Sequence, residues 1–283
     1  MSSKIYLCAI NNTLSGNCSE DCSFCVQSAR FDANIPKYKF KPIELIIQEA
    51  KSAYNSGAIG YCLVTAGKGL DSKKTEYIAK VAHRLKLEIK ELNLIACCGV
   101  ATKEQLKYLQ KHGIDSYNHN LESSKAYYEQ ICTTHSWNER FQTCLNVKEV
   151  GLKLCCGGIY GMGESWDDRD ALIDSIASLN PESSPINFYL PNPSLPIKSR
   201  NLEYSDALMI IKKIKSKIPT SKIMVAGGRE IIFDTKEREL EMYSLGVNSI
   251  VIGNYLTVEG KKAQLDRERL KDLGLEVASS CDE

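Results

Sequence analysis

Three cysteines, Cys18, Cys22 and Cys25, fall within the segment Gly16-Asn17-Cys18-Ser19-Glu20-Asp21-Cys22-Ser23-Phe24-Cys25 at C-x3-C-x2-C spacing. Thiolates are metal ligands, and three at this spacing can converge on one site when the loop folds back. A structural zinc site wants four protein ligands, usually from repeated C-x2-4-C pairs. No second pair follows here at zinc-ribbon distance. An all-cysteine iron–sulfur cluster also needs a fourth thiolate. The triplet therefore reads as a three-ligand site with one open coordination position, at which an organic ligand can bind the metal. The plainer alternatives are zinc with a distant His or Cys as fourth ligand, and a loop whose cysteines do no chemistry.

The chain holds 12 cysteines in 283 residues. Its N-terminal stretch, Met1-Ser2-Ser3-Lys4-Ile5-Tyr6-Leu7-Cys8, lacks a long apolar signal core, so the expected location is cytoplasmic. In a reducing compartment clustered cysteines read as metal or redox groups, and isolated ones as small buried hydrophobes. The charge balance, 36 Lys+Arg against 35 Asp+Glu, removes the broad electrostatic argument for nucleic-acid or membrane-surface binding. No apolar run approaches the ~20 residues of a membrane span.

The elements that must position these groups alternate in type. Strand-like runs fall near residues 5–10, 60–65, 93–97, 116–119, 153–156, 186–190, 222–226 and 249–252. Helix-like stretches lie between them, at 43–55, 74–85, 103–112, 137–150, 167–179, 204–218 and 235–245. Gly113, Gly151 and Gly246 stand where a helix C-terminus wants φ > 0, and Thr102 and Asp206 suit N-terminal caps. Eight strands alternating with helices, with no linker, predict a single (β/α)8 TIM-barrel domain over residues 1–283. A doubly wound open sheet is the rival. The polar and thiol groups Asn118, Asn120, Cys155, Asn187 and Arg229 cluster at or just past strand C-terminal ends, where barrels build active sites, with Cys62 inside its strand.

C-x3-C-x-aromatic-C after a first strand, with Phe24 in the aromatic place, resembles the signature of the radical S-adenosylmethionine enzymes. Longer stretches resemble one family among them, the biotin synthases. They are residues 17–28, Tyr117-Asn118-His119-Asn120-Leu121-Glu122, Ile131-Cys132-Thr133-Thr134 with Glu139-Arg140, Cys155 to Glu164, Pro185-Ile186-Asn187, and Ala226-Gly227-Gly228-Arg229-Glu230. The resemblance implies sulfur insertion into dethiobiotin to form biotin. It implies a 4Fe–4S cluster on Cys18, Cys22 and Cys25 that binds S-adenosylmethionine, and a 2Fe–2S auxiliary cluster that donates the sulfur. Auxiliary ligands implied by the family are Cys62, a third-strand cysteine, Cys155 and, unusually, an arginine matched to Arg229. A guanidinium is always protonated and a poor ligand; on its own, Arg229 after Gly-Gly reads as a phosphate or carboxylate clamp. The third-strand cysteine is Cys97 or Cys98. Successive strand side chains point to opposite faces, so one of them faces inward; Cys97 is our choice. No catalytic residue is expected beyond the cluster ligands.

The resemblance also implies that Asn120 and Asn187 contact the ureido ring of dethiobiotin, with Asn118 nearby. Glu122 stands where the family binds the cofactor ribose with an Asp. Arg140 lies near cofactor and substrate, though by itself it reads as an exposed helix charge. Gly157 and Gly161 sit in Gly157-x-Ile159-x-Gly161-x-x-Glu164, a motif that brings backbone to the adenine. His119 faces away from its Asn neighbours and reads as structural; His135 and Cys132 carry no signal. The implied partners are dethiobiotin, S-adenosylmethionine, a reducing electron-transfer protein and a second copy in a homodimer. The competing functions are another radical enzyme on the same barrel, and a non-catalytic iron–sulfur or zinc protein. The short N-terminus leaves little to cover the barrel bottom.

Overall fold

The computed structural model describes residues 4–254, 260 and 263–282; the first three residues of the N-terminal stretch read above lie outside them. In chain order the strands are β1 (Tyr6–Leu14), β2 (Gly60–Thr65), β3 (Asn93–Cys97), β4 (Ser116–Asn118), β5 (Lys153–Cys155), β6 (Gly158–Tyr160), β7 (Ser183–Phe188), β8 (Lys222–Val225) and β9 (Val247–Val251). The helices are α1 (Ile43–Asn55), α2 (Ser72–Glu88), α3 (Lys103–Lys111), α4 (Tyr128–Ile131), α5 (Trp137–Glu149), α6 (Trp166–Leu179), α7 (Tyr204–Lys217), α8 (Arg229–Ile232), α9 (Lys236–Ser244) and α10 (Ala263–Asp272).

Every ladder is parallel, in the order β5-β4-β3-β2-β1-β9-β8-β7-β6, and a Cys155–Ser183 pairing between β5 and β7 closes the ring. The fifth stave is interrupted. It is expected as one strand over 153–156, but it breaks at Gly157 into β5 and β6, so nine strands make an eight-stave barrel. The break has a steric cause: a Cβ on Gly157 would lie 1.8 Å from the Pro185 carbonyl oxygen. Only glycine lets the two backbones approach so closely.

The large hydrophobic core lies between barrel and helices, where parallel sheets bury their outer face. On α1 the inward stripe is Ile46, Ile47 and Ala50, whereas Leu45 is exposed. Emptying Ile46 to Ala removes a fully buried side chain, at about 2–5 kcal/mol. Thr102 forms a full capping box with Gln105 at the start of α3. Asp206 is not itself the cap of α7: Glu203 is, and Asp206 reaches back to accept from the Glu203 N–H at 3.0 Å. Gly113, Gly151 and Gly246 all adopt positive φ.

The barrel bottom is covered from the other end of the chain. Val277 bridges to Ile5, Ala278 packs on Tyr6 and Ile59, and Asp282 pairs with Lys153 at 2.9 Å. Residues 277–282 thus lie over this end of the barrel.

Candidate active site

Inward side chains of the staves line a cavity of about 400 Å³ along the barrel axis. Cys62, Cys97 and Cys155 reach it from β2, β3 and β5, together with Asn118, Asn120, Asn187 and Glu122. Strand alternation settles both cysteine pairs. Asn118 Nδ2 donates to Cys97 Sγ at 3.5 Å inside the cavity, while Cys98 is fully buried behind the sheet, its thiol 3.8 Å from the Leu63 carbonyl. Cys156 likewise turns outward, its sulfur 3.8 Å from Cys144.

Cys62 and Cys97 are hydrogen-bonded to each other. The hydrogen bond with Cys97, added to burial, holds Cys62 protonated well above the usual range, and the same contact draws Cys97 down. Burial pushes Cys155 up to about 12. A thiol so costly to ionise in an apolar wall becomes a good ligand once a cation is present to take the charge. The three donors therefore fit an iron–sulfur group inside the barrel.

Arg229 does not join them. Its guanidinium is buried on the far side of β8, with Nη2 2.7 Å from Asp266 and Nη1 3.8 Å from Glu239. The ligand role implied for Arg229 is corrected on this point: it clamps carboxylates of α9 and α10, as its residue type alone suggested. The inward residues of the β8 segment are Lys222, Met224 and Ala226. Further sulfur-bearing side chains on the cavity wall, absent from the expected set, are Cys8, Met224 and Cys281. Alternation along β1 and β8 could have found Cys8 and Met224.

The triplet loop is pinned by backbone bonds, Cys18 N–H to the Gln27 carbonyl at 3.0 Å and Ala29 N–H to the Cys18 carbonyl at 2.7 Å. Cys25 lines the barrel cavity, Cys18 a neighbouring cleft beside Gly67 and Lys74, and Cys22 faces Cys132. They remain within electrostatic reach: Cys18 opposes ionisation of Cys25, and Cys25 that of Cys22. Three thiols on one pinned loop beside the cavity supply the donors for a cluster with an open position once their side chains turn to a common point.

Arg140 is half-buried rather than exposed. It donates to the Asn120 carbonyl at 2.6 Å, pairs with Glu122 at 3.0 Å, and places Nη1 3.3 Å from His135 Nε2. Burial raises the Glu122 pKa, and Arg140 works against that rise. Glu122 sits at φ 67°, a strained backbone for a side chain, which turns its carboxylate towards the cavity. Its Oε2 and Asn118 Oδ1 are buried acceptors with no partner. Such acceptors are costly unless a ligand supplies the donors. Asn187 differs: its amide bridges the Gly158 carbonyl and the Gly227 N–H, at 3.3 and 3.1 Å. Asn120 Oδ1 accepts from the Gly157 N–H at 3.1 Å. Gly161 donates its N–H to Glu164 at 2.7 Å, and Glu164 is tied to Arg169. Gly157 and Gly161 flank Ile159, which lines the cavity. His119 is buried and held neutral by that burial, as a structural residue would be.

Comparison with known proteins agrees with this geometry. A family model described as the Radical SAM superfamily matches residues 12–176, and one described as the Biotin and Thiamin Synthesis associated domain matches residues 185–276. A biotin synthase of a Sulfurovum species is 57% identical over 99% of this chain and 98% of its own. One from a Nitratiruptor species is 52% identical over 99% and 100%. The chain belongs to the biotin synthase family. A methylornithine synthase shares the fold of this family member at a TM-score of 0.84, covering 99% of this chain and 85% of its own, with 16% identity. No helix among the described residues is long and apolar enough to cross a membrane.

Proposed function

We infer that this chain converts dethiobiotin to biotin by radical sulfur insertion, with S-adenosylmethionine, a 4Fe–4S cluster and a 2Fe–2S cluster as the family's cofactors. The observation that carries this reading is the single cavity that joins a wall of three thiols to unpartnered polar acceptors beside Cys25. When bound, the 4Fe–4S cluster supplies the electron that cleaves the sulfonium to a 5′-deoxyadenosyl radical, and the auxiliary cluster supplies the sulfur.

The residues proposed to hold these groups are Cys18, Cys22 and Cys25 for the first cluster and Cys62, Cys97 and Cys155 for the second. Glu122, oriented by Arg140, offers a carboxylate oxygen to ribose hydroxyls at the mouth. Asn118 offers its free amide oxygen to a ureido N–H. Asn120 and Asn187 face the same space, and their backbone bonds hold the wall against the substrate rather than leaving it mobile. Gly157 and Gly161 keep backbone close to the adenine. Strands buried on both faces exclude water, which protects a carbon radical from side reactions.

Strands β7–β9 complete the ring begun by β1–β6, and this supports one domain over residues 1–283. Twelve free cysteines support a reducing, cytoplasmic setting. A homodimer reduced by an electron-transfer protein completes the proposal.

The test is anaerobic reconstitution with iron and sulfide, followed by S-adenosylmethionine, a reductant and dethiobiotin. Biotin and 5′-deoxyadenosine are the expected products by mass spectrometry. Deoxyadenosine without biotin would remove the substrate, and neither product from a protein carrying both clusters would remove the reaction.

A further inference from the structure

Cys22 has neighbours that its cluster role does not use. Its Sγ lies 3.6 Å from Cys132 Sγ, and Cys132 Sγ lies 3.3 Å from His135 Nδ1. One ligand atom from each of the three residues lies within 4.8 Å of the other two. Glu20 Oε2 stands 2.9 Å from the same Nδ1. Two sulfurs, an imidazole nitrogen and a carboxylate oxygen form a donor set suited to zinc. A tetrahedral ion with Zn–S about 2.3 Å and Zn–N about 2.0 Å sets its two sulfurs about 3.8 Å apart and sulfur and nitrogen about 3.6 Å apart. The Cys22–Cys132 and Cys132–His135 separations lie within a few tenths of an ångström of that geometry, and Glu20, already beside Nδ1, turns its carboxylate further to reach the two sulfurs.

The two loops are zipped together by bonds outside the donor set. The Asp21 carboxylate accepts from the Thr133 N–H at 2.9 Å and from the Thr134 N–H and hydroxyl at 3.2 and 3.0 Å. The Ser23 N–H donates to the Ile131 carbonyl at 2.9 Å. Glu20, Cys132 and His135 are all buried. Two thiolates and a carboxylate around a divalent ion leave one net negative charge. Arg140, paired with Glu122 and with Nη1 3.3 Å from His135 Nε2, places a cation beside that charge.

We propose that the cluster-free chain binds one divalent cation of the zinc type through Cys22, Cys132, His135 and Glu20, and that this ion and the 4Fe–4S cluster exclude each other because both need Cys22. Binding displaces the thiol protons to solvent and involves no redox step. The ion guards the loop before the cluster is installed, and must leave for the cluster to form.

The experiment uses the full chain stripped anaerobically of metal and titrated with zinc against a chromophoric chelator. Cys132→Ala and His135→Ala are each expected to lose one equivalent, or to bind it about tenfold or more weaker. Cys18→Ala is expected to keep it. Zinc loaded beforehand should slow iron–sulfide reconstitution of the parent, read as visible cluster absorption, and leave reconstitution of Cys132→Ala unslowed. Equal zinc uptake by parent and Cys132→Ala would overturn the proposal. So would loss of the same equivalent in Cys18→Ala, which would place the ion on the triplet itself. Cys132→Ser decides the matter if the alanine variant fails to fold, as judged by circular dichroism. No S-adenosylmethionine or dethiobiotin is present, so failure here leaves the biotin reading untouched.

Discussion

The two thiol sites are built on opposite principles. Cys18, Cys22 and Cys25 ride a loop pinned at its base, and their sulfurs face three different directions. Cys62, Cys97 and Cys155 ride β2, β3 and β5 of a closed sheet, all directed to one cavity by strand alternation. The loop site keeps an exposed edge where an exchangeable ligand can reach metal. The strand site is held inside the closed barrel by paired strands, as befits a group attacked by a radical. Position within the fold thus separates a centre that must open from one that must stay enclosed.

The sharpest way to break this comparison is to remove one ligand from each site. Cys25→Ala is expected to abolish both products, at least about a 10³-fold loss, with no 4Fe–4S absorption or paramagnetic signal after reduction. Cys155→Ala is expected to lose the 2Fe–2S absorption and biotin but to keep the 4Fe–4S cluster and deoxyadenosine formation; an unchanged spectrum would remove Cys155 from the ligand set. Next in size is Arg229→Met. Breaking a buried pair costs about 3–5 kcal/mol, so its melting temperature should fall while both cluster spectra persist in the folded protein. Loss of the 2Fe–2S spectrum from that folded variant would return Arg229 to the ligand set.

Glu122→Gln removes a charge held by Arg140 and should raise the KM for S-adenosylmethionine by about 10- to 100-fold, measured as deoxyadenosine release. The smallest effect is expected for Cys98→Ala. It should cost about 1 kcal/mol in denaturant unfolding, with cluster spectra and product yield unchanged.

Much of this was readable in the residues. β2 and β3 lie on their expected bounds because short β-branched runs between helical stretches leave little alternative. Alternation ruled that Cys97 and Cys98 could not both face inward, and the Asn118–Cys97 contact shows which does. The failures have physical causes. Arg229 follows the strand, where a turn frees its direction from alternation; the partners that claim it, Glu239 and Asp266, lie on helices later in the chain. Cys132 and His135 gave no signal because their partners, Cys22 and Glu20, are over a hundred residues away. The interruption at Gly157 comes from the approach of Pro185 on the neighbouring strand β7, which no local pattern records.

The tail that crosses the barrel bottom has a kinetic consequence. With Val277–Asp282 lying over one end, the described residues leave the mouth beside Phe24, Cys25 and Glu122 as the expected way in for small molecules. Entry by that end imposes a queue. Whatever sits beside Cys155 goes in ahead of whatever sits beside Glu122, and comes out after it. Product inhibition should therefore depend on the nucleoside at the door being cleared first.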